Sequence, residues 1–187
     1  AELASRCVVA TKFGETFDCE TGETVVCHSA AAAMSQLAAA TKALGRVDIF
    51  YSHITSQLTE AQAEAVLADH ELRAALLAAK SEGKGGSIGT SCSFPSVVRA
   101  ALAHGWLDDT DVVQLPARAL VSEPELTAQL RAAGKMIVAN SPVRRILSAP
   151  DEAMDEAAVE VAIADLMTAC PDIACILVGT GKPHRLQ

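Results

Sequence analysis

The chain has 187 residues, half of them hydrophobic, and it contains no apolar run near the ~18 residues that a membrane span needs. Its 23 acidic and 15 basic residues give a formal net charge of -8, and no cluster of Lys and Arg with interleaved aromatics forms the footprint of a nucleic-acid site. The sequence therefore predicts a soluble protein whose partners include neither nucleic acid nor membrane, and the chain is long enough for a hydrophobic core.

Six cysteines raise the question of a disulfide or metal framework, but no two are spaced as C-x-x-C. Cys7 and Cys175 fall within predicted strands, where cysteine behaves as a small hydrophobe. A metal site is the alternative, and it would gather Cys19, Cys27 and His28. The spacing of these residues does not favour such a site. Because no signal peptide is recognisable either, the sequence predicts a reduced, cytoplasmic setting and no resident metal.

Short apolar runs with polar ends predict six buried parallel strands. The clearest is Val47-Asp48-Ile49-Phe50-Tyr51-Ser52-His53, which opens with an aspartate and closes with a histidine. The other predicted strands cover residues 7–14, 86–92, 111–116, 136–142 and 174–180.

Helices are predicted between these strands. Ser29 caps an alanine-rich helix that ends near Gly45, Thr59 starts a long helix that closes near Gly83, and residues 15–28 are predicted to be a loop. Further helices are predicted over about 95–104, 123–133 and 151–169. Strict alternation of strands and helices predicts an α/β fold with a parallel sheet. No G-x-G-x-x-G follows the first strand, which favours a barrel over an open dinucleotide-binding sheet.

A polar residue or small cluster closes each predicted strand, and the carboxyl ends of barrel strands converge on one mouth. In chain order these are Lys12, His53, Ser91, Gln114, Asn140 with Ser141, and Thr180. Each one alone is more often a strand terminator than a functional group. Lys12 and His53, on consecutive strands, are more informative because the edge of an apolar barrel shifts the pKa of both groups.

Six strand-end motifs follow one another along the chain. They are Val8-Val9-Ala10-Thr11-Lys12-Phe13-Gly14, Asp48-x-x-x-x-His53, Ile88-Gly89-Thr90-Ser91, Val113-Gln114-Leu115-Pro116, Ala139-Asn140-Ser141-Pro142 and Val178-Gly179-Thr180. In the same order, they resemble the strand-end motifs of the aldo-keto reductases. The resemblance runs from the first strand to the final residue. It implies a TIM (β/α)₈ barrel that binds NADP(H) across its mouth and reduces a carbonyl substrate, an aldehyde or ketone, to an alcohol.

The resemblance also implies roles for individual residues. Lys12 matches the lysine that lowers the pKa of the family's catalytic tyrosine, and His53 matches the histidine that hydrogen-bonds and orients the substrate carbonyl. Such groups stabilise the negative charge that a hydride leaves on the carbonyl oxygen. Ser91 and Gln114 match the residues that hold the nicotinamide carboxamide.

Three further parts of the cofactor site follow from the same resemblance. Asn140 and Ser141 belong to it, although Asn140 stands where the family usually has an aromatic that stacks on the nicotinamide. Cys92 likewise stands where an asparagine commonly follows the serine. The segment that grips the adenosine 2′-phosphate contains Thr180, Gly181, Lys182 and Arg185. Its two basic residues favour NADPH over NADH.

The family's catalytic tyrosine and aspartate belong to an earlier strand and the turn after it, whereas about six strands of the eight are visible in this sequence. We therefore expect a single barrel domain over residues 1–187 that lacks its first two strands. Tyr51, the one tyrosine, is predicted to be a core residue, because it lies two residues and ~7 Å deeper than His53 along the strand. His28, His70, His104 and His184 are expected in solvated positions.

Two alternative functions remain open. One is a catalytically inactive member of the family that serves as a binding or regulatory subunit. The other is a lyase or isomerase on a TIM barrel that uses Lys12 as a Schiff-base amine. The sequence does not name the substrate, although Arg144 and Arg145 are the obvious groups to hold an anion. It also leaves open a homo-oligomer or a partner segment that completes the barrel.

Overall fold

The computed structural model describes residues 7–141 and 156–179. The strands are β1 (Ala10–Phe13), β2 (Glu15–Phe17), β3 (Thr24–Val26), β4 (Ile49–Ile54), β5 (Ser87–Cys92), β6 (Val112–Pro116), β7 (Met136–Asn140) and β8 (Ile173–Ile176). The helices are α1 (Ala30–Leu44), α2 (Glu60–Ala68), α3 (His70–Ser81), α4 (Pro95–Ala103), α5 (Ala117–Ser122), α6 (Pro124–Ala132) and α7 (Glu156–Ala169).

Six of these strands form one parallel sheet in the order β1-β4-β5-β6-β7-β8, and β2 pairs with β3 in a separate antiparallel hairpin. The sheet strands alternate with helices along the chain, so the predicted α/β architecture is confirmed. Six strands in sequential order are what an incomplete (β/α)₈ barrel contains. The chain divides into two compact units, one ending at Val113 and the other beginning at Gln114.

In the first unit, one face of β1, β4 and β5 packs against α1 and α3. Phe13 and Phe50 lie side by side there, with ring centroids 4.9 Å apart. The buried residues of this core are Phe13, Ala33, Leu37, Val47, Phe50, Leu72, Leu76, Ala79 and Ile88. Because successive side chains of a strand point to opposite faces, the neighbours of these strand residues lie on the other face of the sheet.

In the second unit, β7 pairs in parallel with β8, with a register shift between Ile137 and Val138. Apolar side chains from its helices and from β7 are buried. They include Leu120, Leu126, Leu130, Ile137, Val138 and Leu166.

Two aspartate carboxylates support the register of the parallel strands in the first unit. Asp48, just before β4, accepts the backbone N–H of Val9 at 2.7 Å, and Asp111, just before β6, accepts the N–H of Ile88 at the same distance. Each carboxylate thereby satisfies a donor at the amino end of a neighbouring strand. The hydrogen bond from Val9 holds the pKa of Asp48 below its usual value, so this carboxylate is ionised at neutral pH.

The prediction of a loop over residues 15–28 is wrong, because the chain forms the β2–β3 hairpin there. Glu15 lies opposite Val26, and Phe17 lies opposite Thr24. The Asp18 side chain accepts the backbone N–H of Glu20, which closes the turn. Strands of three residues are too short to produce the alternating pattern on which sequence interpretation depends.

The prediction of one long helix from Thr59 to Gly83 is also wrong. Asp69 ends α2 and begins α3, with extended backbone angles of φ -67° and ψ 108°. Its side chain accepts the N–H groups of Glu71 and Leu72, and this local capping competes with a continuous helix. The first helix does begin at Thr59, which forms a capping box with Gln62.

Two smaller predictions are corrected as well. Neither cysteine assigned to a strand interior is buried: Cys7 precedes β1 and Cys175 lies in β8, and both are exposed. The short helix α5 follows β6 directly, where no helix was predicted. A helix of about one and a half turns has too few residues to show an amphipathic period.

Tyr51 lies on the sheet face opposite the first unit's helices and is 3% exposed, as predicted for a core residue. Its ring fills the space beside Gly89 of the neighbouring strand. A Cβ added at Gly89 would lie 2.4 Å from Cδ1 of Tyr51. Glycine is therefore required here by the close approach of an aromatic ring and not by a turn.

We expect Gly89→Ala to destabilise the protein by about 1–3 kcal/mol, the cost of overpacking a buried site. Chemical unfolding in urea measures this change. Gly85→Ala is the matched control, because its added Cβ would lie at an ordinary 3.6 Å from the Leu37 side chain. Equal stabilities of the two variants would contradict the packing of Tyr51 against Gly89.

Candidate active site at the carboxyl ends of three strands

Lys12 lies near the carboxyl end of β1, on the same sheet face as Tyr51. Its ammonium group donates a hydrogen bond to Ser91 Oγ of β5 at 2.9 Å and lies 5.9 Å from the centre of the Tyr51 ring. Burial lowers the pKa of Lys12, and the negative charge of Glu15 opposes that shift. The structure thus places a partly desolvated cation at this end of the sheet.

His53 lies near the carboxyl end of β4, directly opposite Ser91 in the parallel register. Its Nδ1 is 3.1 Å from Oε2 of Glu15. The other carboxylate oxygen of Glu15 accepts a hydrogen bond from the Thr55 hydroxyl at 2.6 Å. Both oxygens of Glu15 are therefore engaged, which fixes the carboxylate beside the imidazole ring.

His28 approaches the same group from the segment after β3. Its Nε2 donates to the backbone carbonyl of His53 at 2.9 Å, and its ring makes an edge contact with Phe13. The ring occupies the space beside Gly14, where an added Cβ would lie 2.2 Å from Nε2 of His28. Gly14 also has a φ of 113°, a conformation that only glycine adopts readily. The expectation that His28 is a solvated surface residue is therefore wrong.

The pKa of His53 is lowered from its ordinary value. Burial is the largest cause, and the positive charges of Lys12 and His28 act in the same direction. The carboxylate of Glu15 opposes them, through its charge and its hydrogen bond. His53 is therefore neutral at pH 7.

The structure brings three of the predicted site residues together, namely Lys12, His53 and Ser91. Ser91 is buried and accepts the Lys12 hydrogen bond, which is a different contact from the carboxamide contact that the resemblance implies. Cys92, the next residue, is buried, and this burial raises the pKa of its thiol to about 11. The thiol is therefore protonated at neutral pH and is a poor nucleophile.

The predicted residues of the second unit lie within β6 and at the end of β7, so Gln114 is inside its strand and does not close it. Gln114 is in β6 and is 1% exposed, and Asn140 is the last residue of β7. The side-chain oxygen of Asn140 is buried and has no hydrogen-bond partner among the described residues. Ser141 follows with a φ of 50°, the left-handed region that favours glycine.

Several predicted residues lie outside the described residues. They are the 2′-phosphate segment Thr180, Gly181, Lys182 and Arg185, together with His184, Arg144 and Arg145. Their proposed roles remain predictions from the sequence.

The sequence interpretation missed two members of this group, Glu15 and His28. A signal for Glu15 was present, because an acidic residue follows the strand of Lys12 after one glycine. No comparable signal marks His28, whose position depends on the hairpin that precedes it.

Within residues 7–141 and 156–179, no three side chains of His, Cys, Asp or Glu gather closely enough to hold a metal ion. This includes the alternative group of Cys19, Cys27 and His28. In the same part of the chain, each helix is too short or too polar to cross a bilayer.

Residues 3–160 match the sequence model of the aldo/keto reductase family. This chain belongs to that family. A search of curated protein sequences finds no match. The family assignment inferred from the strand-end motifs is therefore confirmed.

Solved aldo-keto reductases share the fold. One from Pseudomonas aeruginosa, assigned to this family, has a TM-score of 0.73 at 23% identity and covers 97% of this chain. AKR11C1 from Bacillus halodurans, in its holo form, has a TM-score of 0.68 at 16% identity and also covers 97%. AKR2E5, solved in complex with NADPH, has a TM-score of 0.63 at 17% identity.

This aldo-keto reductase chain spans only part of these relatives. It covers 65% of the Pseudomonas and Bacillus chains and 57% of AKR2E5. The shared fold therefore extends over nearly all of this chain and over 57–65% of each relative.

We expect Lys12→Met to raise the pKa of His53, because the substitution removes a positive charge that disfavours the imidazolium form. The titration of the His53 ring protons, followed by NMR, measures the change. Lys42→Met, in the last turn of α1, removes the same charge from an exposed position and is the control. A Lys12→Met shift no larger than that of the control would show that Lys12 does not act on His53.

Proposed function

We propose that this protein is an NADPH-dependent oxidoreductase that reduces an aldehyde or ketone to an alcohol. The observation that carries the proposal is the grouping of Lys12, His53 and Ser91 at the carboxyl ends of three adjacent parallel strands. Family membership supports it, and so does the NADPH complex of the relative AKR2E5. The carboxyl ends of the strands are where barrel enzymes hold their substrates.

In this proposal, Lys12 and His53 stabilise the charge that develops on the oxygen of the substrate carbonyl. Negative charge develops on that oxygen as the carbonyl is reduced, and a partly desolvated ammonium group stabilises it more strongly than a solvated one does. Ser91 orients the ammonium group by accepting its hydrogen bond. When both of its nitrogens are protonated, His53 donates to the oxygen through the ring nitrogen that Glu15 does not occupy.

The cofactor proposal rests on groups whose chemistry suits a nicotinamide. The buried oxygen of Asn140, which has no hydrogen-bond partner among the described residues, is an acceptor of the kind that a carboxamide N–H requires. NADPH supplies the hydride when bound. From the sequence, Lys182 and Arg185 hold the 2′-phosphate through charge-assisted hydrogen bonds.

We further propose that residues 1–187 are one barrel domain and that two more strands complete it. The coverage of 65% of the related chains supports this view. The completing strands belong either to a longer polypeptide or to a partner segment, and an uncovered β1 edge would otherwise expose unpaired backbone groups. We propose a reduced, cytoplasmic setting for this enzyme.

The first measurement is the intact mass of the purified protein, followed by an NADPH titration monitored through cofactor fluorescence and an assay with a small aliphatic aldehyde. We expect NADPH to bind more tightly than NADH. We expect Lys12→Met to lower kcat/KM by about 10²–10⁴-fold, the usual contribution of a group that acts on the reacting oxygen. Lys42→Met, on the exposed end of α1, should retain activity.

Two outcomes would contradict this proposal. If the protein binds NADPH without turnover, and its intact mass matches the 19.4 kDa of this sequence, the inactive binding or regulatory subunit becomes the better description. If it neither binds NADPH nor reduces aldehydes in a longer form, the oxidoreductase proposal is wrong.

A second candidate function is a Schiff-base lyase or isomerase, and the lowered pKa of Lys12 is the observation that favours it. Burial of the amine increases the fraction of its neutral, nucleophilic form. The hydrogen bond to Ser91 and the family match favour hydride transfer over this candidate.

Borohydride reduction distinguishes the two functions. A Schiff-base enzyme incubated with a carbonyl compound and borohydride gains the mass of the reduced adduct on Lys12. We expect no such adduct on the wild-type protein, because Lys12 acts as a positioned cation. An adduct that disappears in Lys12→Met would establish the second candidate.

A further inference from the structure

The contact between Glu15 and His53 constrains where the imidazole proton lies. A carboxylate at neutral pH only accepts hydrogen bonds, so the ring nitrogen beside it must carry a hydrogen. That nitrogen is Nδ1 of His53, which is 3.1 Å from Oε2 of Glu15. In a neutral ring with a proton on Nδ1, the second nitrogen, Nε2, carries a lone pair and accepts hydrogen bonds.

We propose that Glu15 is a positioning residue that holds neutral His53 in the tautomer with its proton on Nδ1, so that Nε2 accepts a hydrogen bond from a hydroxyl-bearing ligand. The role that the family resemblance implies for His53, donation to a substrate carbonyl, requires a proton on Nε2. Because Nδ1 carries the proton that faces Glu15, Nε2 carries one as well only when both ring nitrogens are protonated.

The position of Glu15 is fixed from two sides. Thr55, just after β4, donates its hydroxyl hydrogen to Oε1 of Glu15 at 2.6 Å, which leaves Oε2 for His53. The turn at Gly14, with its φ of 113°, directs the chain from β1 into β2 and brings Glu15 back toward β4. A carboxylate held at both oxygens orients its histidine partner more strictly than a mobile surface side chain does.

The surroundings of His53 keep the ring neutral in spite of this carboxylate. Burial is the largest cause that disfavours the imidazolium form, and Lys12 on β1 and His28 after β3 act in the same direction. Among the described residues, Glu15 on the hairpin is the charged group acting on His53 that favours protonation. Glu15 therefore sets the tautomer, whereas Lys12, His28 and burial set the charge.

This arrangement predicts a ligand preference that depends on pH, a consequence that rests on the proposed function. Neutral His53 binds the hydroxyl form of the substrate, the alcohol, by accepting its O–H at Nε2. Protonated His53 donates from Nε2 and binds the carbonyl form. The same residue therefore favours carbonyl reduction at lower pH and retention of the alcohol at higher pH.

His28 provides an internal reference for the tautomer. Its Nε2 donates to the backbone carbonyl of His53, so neutral His28 carries its proton on Nε2. The two neighbouring histidines are thus expected in opposite tautomers. Imidazole nitrogen chemical shifts distinguish these two states in NMR spectra without any cofactor or substrate.

The experiment records imidazole nitrogen shifts of the purified wild-type protein as a function of pH, with His53→Gln and His28→Gln used to assign the signals. We expect the Nδ1–H tautomer for His53 and the Nε2–H tautomer for His28. In Glu15→Gln we expect the His53 titration midpoint to move to lower pH, because the favourable negative charge is lost.

Glu20→Gln is the matched control. Glu20 is an exposed residue in the turn of the same hairpin, and its substitution changes the net charge by the same amount. We expect the His53 midpoint in this variant to stay close to the wild-type value. A merely structural role of Glu15 would leave the His53 tautomer and midpoint unchanged as long as the variant is folded.

The proposal is overturned if wild-type His53 populates the Nε2–H tautomer, a result that needs no variant to fold. It is equally overturned if Glu15→Gln moves the His53 midpoint no further than Glu20→Gln does. Both results are independent of turnover. The expected tautomer in a protein that reduces no aldehyde would therefore leave this inference standing and refute only the proposed reaction.

Discussion

The hydrogen bonds from strand backbones to Asp48 and Asp111 are the constraint on which the candidate site depends. Each carboxylate fixes the amino end of a neighbouring parallel strand, at Val9 and at Ile88. With those ends fixed, the residue spacing along each strand determines which side chains meet at the carboxyl ends. A one-residue slip would transfer the site residues to the face that packs against α1 and α3.

The two faces of the first unit's sheet have different roles, because successive side chains of each strand point to opposite faces. Phe13 and Phe50 lie on the helix-packed face, and their neighbours Lys12 and Tyr51 lie on the other. Gly89 leaves room there for the tyrosine ring. The apolar surroundings formed in this way lower the pKa of the lysine, so the packing below the site contributes directly to its electrostatics.

The β2–β3 hairpin supplies the carboxylate of the site. Glu15 enters from the hairpin and contacts His53 at Nδ1, and its negative charge opposes the effect that burial and Lys12 have on the pKa of His53. His28, from the far end of the same segment, donates to the backbone carbonyl of His53. The hairpin is therefore part of the site and not a simple connection. Because a loop was predicted over these residues, the sequence interpretation missed Glu15 as the partner of His53.

The sequence by itself determined the order of six strands, the family, and the positions of Lys12, His53 and Ser91, because buried strands leave long apolar runs with polar ends. The break of the helix at Asp69 follows from local capping hydrogen bonds that override the helical pattern. Only the tertiary structure decided the partners of the site residues, because a contact such as that of Glu15 with His53 joins residues far apart in the chain. Periodicity records which side of an element is buried, but it carries no information about which side chains meet across two elements.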